Sequence, residues 1–142
     1  MFPYKSLYAH LGNLFYAVAY ADGKISKEEK NTVASLVQFS WRHLEESKTF
    51  LDEDPSNVIL FQFDLDEEAQ RSAKGAYKAF QLFFTDHQHL IGPHLKERIL
   101  ASARRIAEST RGINDSELQL LMHLRQLLAH PVQVDGPLYQ KT

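Results

Sequence analysis

The chain reads as all-α, a single-domain helical bundle built from two duplicated helix-turn-helix hairpins around a middle helix. Three observations predict this. Apolar side chains recur at spacings of three and four through most of the 142 residues. Two turns, 88 positions apart, carry the same capping pattern. The single strand-like run, Val58-Ile59-Leu60-Phe61-Gln62-Phe63, has no second run to pair with, and a lone strand leaves its backbone groups unsatisfied.

Leu7, Leu11, Leu14, Phe15 and Val18 predict an amphipathic first helix over residues 4 to 21, stopped by Gly23. Ser26 with Glu29 forms a capping box, so a second helix starts near Lys27 and carries Val33, Leu36, Val37, Trp41 and Leu44 on one face. Asp52-Glu53-Asp54-Pro55-Ser56-Asn57 reads as a loop, since Pro55 cannot occupy a helix interior. The Val58 to Phe63 run is expected as a short helix or an extended linker packed into the core. A continuous helix over residues 65 to 84 should follow, with Asp66, Glu67 and Glu68 in its first turn and close helix contact near Gly75.

Gly92-Pro93 opens the next helix, expected over residues 94 to 110 with Leu95, Ile99, Ala103, Ile106 and Ala107 in helical period. Asn114 with Glu117 is the second capping box, and Ile113 can staple onto Leu118. The last helix carries Leu121, Leu124, Gln126 and Leu128 and ends at Pro131. Residues 1–130 thus form the domain and residues 131–142 a tail.

Composition sets the functional limits. The absence of cysteine excludes thiolate metal sites and thiol nucleophiles and fits a cytoplasmic protein. No apolar run approaches the roughly 20 residues that span a bilayer, and the first residues lack a signal-peptide pattern. Residues 1 to 71 hold 7 basic and 12 acidic side chains and residues 72 to 142 hold 9 and 6; solvated faces explain this division, and a partner protein of opposite charge is the sharper reading. Lys96, Arg98, Arg104, Arg105 and Arg111 make one helix basic. It lacks the interleaved aromatics that single-strand nucleic acid would stack upon, so no nucleic acid partner is expected.

The turn Ala21-Asp22-Gly23-Lys24-Ile25-Ser26-Lys27-Glu28-Glu29 is the main candidate site. It matches the later half of a calcium-binding EF-hand loop, but the first two ligand positions would fall on Val18 and Tyr20, which cannot supply oxygen ligands of that kind. Gly23, Ser26 and Glu29 are explained by turn and cap. Asp22 is not, because a carboxylate at a helix C-terminus opposes the dipole. Asp22 and Glu29 are therefore the candidate metal ligands, for a calcium- or magnesium-like divalent ion. The second turn is a poorer candidate, since Thr110 and Arg111 stand where Asp22 and Gly23 do.

Ala21-Asp22-Gly23-x-Ile25-Ser26-x-x-Glu29, its degenerate echo at Ser109 to Glu117, and Phe61-Gln62-Phe63-Asp64-Leu65-Asp66 between them resemble a TerB-like domain of the tellurite-resistance protein B superfamily. The resemblance covers roughly residues 7 to 130. It implies an all-helical fold with internal duplication, metal binding through acidic residues of this kind, and a role in stress-response assemblies. Asp22 and Glu29 alone carry over. His130-Pro131-Val132 lacks the aspartate of a J-domain signature.

His87, His89 and His94 read first as a loop of solvated histidines, though they could place three imidazoles around zinc or nickel, which leaves a metal-dependent hydrolase as an alternative. No nucleophile elbow, Walker loop, dinucleotide fingerprint or His-Glu-x-x-His is present, and the expectation is a non-enzymatic interaction module. A purely structural scaffolding domain is the other alternative.

Overall fold

The computed structural model describes residues 2–42, 56–109 and 112–129. Six α-helices run through them with no strand among the described residues: α1 (Tyr4–Ala19), α2 (Lys27–Leu36), α3 (Asn57–Glu68), α4 (Ala73–His87), α5 (Pro93–Glu108) and α6 (Asp115–Ala129). Leu44, Pro55, Thr110, Arg111 and the expected stop at Pro131 lie outside the described residues, as does the tail. Among those described, no helix is long and apolar enough to cross a membrane.

The centre of the fold is α1. It packs on α3, α4 and α5 and touches α2 and α6. Burial extends beyond the expected stripe to Tyr8, Gly12, Asn13, Tyr16, Ala17 and Ala19, as befits a helix enclosed on nearly every side. At Gly12 the approach is closest, since a Cβ there would lie 2.6 Å from the Ile59 carbonyl oxygen and 2.7 Å from Gln62 Cβ. The sequence reading put the small-residue contact at Gly75 instead. There a Cβ would meet mainly its own cap, Ser72 Oγ at 2.9 Å.

The Val58 to Phe63 run lies within α3, where Ile59 and Phe63 are buried against α1. The expected single helix over residues 65 to 84 is two helices. Gln70 takes a left-handed φ of 54°, the Arg71 N–H reaches back to the Asp66 carbonyl at 3.0 Å, and α3 stops. Ser72 Oγ then accepts from the Gly75 N–H at 3.0 Å and starts α4. Asp66 consequently ends a helix rather than beginning one. Its buried carboxylate accepts from Asn13 Nδ2 at 2.7 Å and Gln62 Nε2 at 3.0 Å, with Arg71 at 3.4 Å. Those partners outweigh the unfavourable dipole.

Past Leu36, α2 widens into a π-helical turn, Val37–Trp41. This turn sets Trp41 into the core, donating to Ser102 Oγ at 3.1 Å, with the Arg98 guanidinium 5.7 Å from its ring. Arg98 also donates to the Ser40 carbonyl, so this member of the basic helix serves packing. Pro93 opens α5 as expected, and Ile99, Ala103, Ile106 and Ala107 are buried. In α6 the buried apolar residues are Leu121, Leu124, Leu127 and Leu128, with Gln126 exposed. Ile113 packs on the core while Leu118 stays 47% exposed.

Candidate functional site

Both turns form as capped entries to their helices. The Ser26 N–H donates to Glu29 Oε1 at 2.7 Å and the Glu29 N–H to Ser26 Oγ at 3.0 Å. In the second turn the Asn114 N–H donates to Glu117 Oε1 at 3.1 Å and the Glu117 N–H to Asn114 Oδ1 at 2.9 Å. Each box satisfies two otherwise orphaned backbone donors. Gly23 at φ 93° and Gly112 at φ 95° supply the left-handed residue before each cap, a conformation that disfavours a side chain. Gly112 lies one residue nearer its cap than Gly23 does, so the gapless 88-residue alignment slips by one here.

Sequence reasoning missed that the two turns face each other. They line one cleft of about 510 Å³ with Asp22, Lys24, Ile25, Ser26 and Glu29 from the first and Gly112, Ile113, Asn114 and Glu117 from the second. Asp22 Oδ2 accepts from Asn114 Nδ2 at 3.0 Å, and Oδ1 accepts from the Lys24 N–H at 3.2 Å. Asp22 therefore has a structural partner. It closes its own turn and ties that turn to the second one.

Glu29 is 3% exposed and Glu117 is 2% exposed, and their carboxyl groups lie near enough to act on each other. Burial comes first in pushing the Glu117 carboxyl up to about 7; the Glu29 carboxyl and the negative charges of Glu29 and Asp22 add to it, against the Asn114 backbone donor. Two carboxylates in such contact cannot both stay ionised without a positive species between them. A proton fills that role, and so does a cation. The signal for this contact was the pairing of Glu29 with Glu117 in the repeat, which a linear reading could not turn into proximity.

Asp22, Glu29 and Glu117 bring carboxylate oxygens, the ligand type that calcium and magnesium prefer, while the Asn114 amide oxygen is engaged by the Glu117 N–H and its nitrogen by Asp22. Each glutamate commits Oε1 to its cap and carries a second oxygen beyond it. Among the described residues, no three His, Cys, Asp or Glu side chains are grouped so that they could hold a metal ion in their present positions.

The histidine triplet is dispersed. His87 ends α4, its Nδ1 donating to the Phe83 carbonyl at 2.9 Å and its ring stacked on Phe83 at 4.3 Å. His89 sits on the following 3₁₀ turn and His94 in the first turn of α5, both exposed. No protein-family model, no curated protein and no solved structure matches this chain.

Proposed function

We propose that this chain is a non-enzymatic, TerB-like helical interaction module of the cytoplasm whose two facing turns take up a divalent cation between Glu29 and Glu117, with Asp22 at the rim. The observation that carries the reading is the contact between two buried carboxyl groups beside an open cleft. The all-helical fold and the Asp22-Gly23 turn are consistent with the family resemblance. So are the paired glycine turns and capping boxes, which support an origin by duplication of a hairpin. The bound ion would clamp the α1–α2 turn to the start of α6.

Titration with calcium, magnesium, manganese and zinc, followed by thermal unfolding, tests the cation. A ligand that binds the native state alone raises the midpoint. Glu29→Gln/Glu117→Gln keeps both capping boxes and should abolish the shift. No shift with any ion would remove the metal from the reading.

One observation favours a second reading, a structural domain without a ligand. Asp22, the residue that no turn rule explained, bonds to Asn114 and Lys24. On that reading no divalent ion raises the unfolding midpoint of the wild type, and Asp22→Asn leaves the cellular phenotype unchanged.

A further inference from the structure

We propose that the groove between α4 and α6 docks an acidic peptide segment of a partner protein, one in which carboxylates alternate with apolar side chains. Here α4 packs chiefly on α1 and α6 on α5. The two leave a trough of about 450 Å³ between them, with Ala21 contributed from just beyond α1. This groove shares no side chain with the turn cleft, so the proposal stands independently of the cation.

Charge identifies the occupant. Lys74, Lys78 and His123 line the groove and no acid does. Among the described residues, neither lysine nor His123 has an ion pair or hydrogen bond within the chain. Lys30, by contrast, pairs with Glu67 at 2.8 Å and Arg104 with Glu108 at 3.1 Å. An unneutralised cationic trough with apolar lining suits a carboxylate-bearing chain.

Spacing sets the form of that chain. Lys74 and Lys78 stand four residues apart on one helix face, about 6 Å along the axis. Alternate residues of an extended peptide repeat every ~6.7 Å. A strand-like segment can therefore give one carboxylate to each lysine while its intervening side chains face α6 and meet Leu120. Gln81 and Gln119 supply amide donors and acceptors for its backbone. Burial pushes the Tyr77 phenol up to about 12, so it stays protonated and adds no negative charge to the trough.

The test is an amide NMR titration of the full chain with the N-acetylated peptide Asp-Leu-Glu-Leu-Asp-Leu-Glu. Saturable shifts are expected on α4 and α6, weakened by salt. Lys74→Glu/Lys78→Glu should lower the affinity at least about tenfold, and Lys74→Gln/Lys78→Gln by less, with melting temperatures unchanged because both side chains are exposed. Glu29→Gln/Glu117→Gln should leave peptide binding as it is, which separates this outcome from the fate of the cation. The proposal is overturned by absent shifts, by shifts indifferent to charge reversal, or by equal shifts from inorganic phosphate or from the same peptide with Asn and Gln replacing its acids.

Discussion

Glu29 and Glu117, one from each capping box, bring their carboxyl groups into mutual electrostatic range although neither is more than 3% exposed. This contact joins the start of α2 to the start of α6.

Stability in chelator-treated buffer should fall as pH rises from about 4.5 towards 7 and beyond. The Glu117 carboxyl goes from its ordinary 4.5 to about 7 in the folded chain, so the folded state holds the extra proton in that window. Its contribution is complete below the unfolded value and lost as pH climbs through the folded one. Glu117→Gln keeps the cap acceptor, removes the charge and should flatten that limb, gaining on the order of 2 kcal/mol at pH 8. Urea unfolding of both proteins across this range measures it.

Gly12→Ala should be among the most damaging small substitutions. The added methyl would press on the Ile59 carbonyl and Gln62 Cβ, one a backbone atom and the other fixed close to it. A loss of about 1 to 3 kcal/mol is expected from denaturant unfolding. Gly75→Ala, whose nearest atom is its own cap, should cost less.

Asp66→Ala should destabilise by about 2 to 3 kcal/mol, because it leaves the buried Asn13 amide without its acceptor. A double-mutant cycle with Asn13→Ala should show coupling beyond about 0.5 kcal/mol. Additive losses would place the two residues in separate roles.

Gly23→Ala and Gly112→Ala should each cost about 1 kcal/mol through backbone conformation alone, since nothing lies within 4 Å of a Cβ at either position. Similar losses at both turns are expected from thermal unfolding.

Much of this fold is legible in the sequence because local chemistry fixes it. Ser26 with Glu29, Asn114 with Glu117, and Pro93 each mark a helix start within a few residues. The break between α3 and α4 is less visible, since Gln70 adopts a left-handed conformation without being glycine and Ser72 is an unobtrusive cap. The central place of α1 was hidden by polar Asn13, whose partner Asp66 lies 53 residues away. The candidate site followed the same rule. Asp22 and Glu29 are readable from one turn, whereas Glu117 and Asn114 join them only through the packing of α6 across the fold.

The most direct measurement is calorimetric titration of calcium, then magnesium, manganese and zinc, into the wild type and Glu29→Gln/Glu117→Gln at pH 8. The account expects saturable one-site binding of at least one of these ions to the wild type and none to the double variant. No saturable binding to the wild type, or equal binding to both proteins, would contradict a cation held between the two turns.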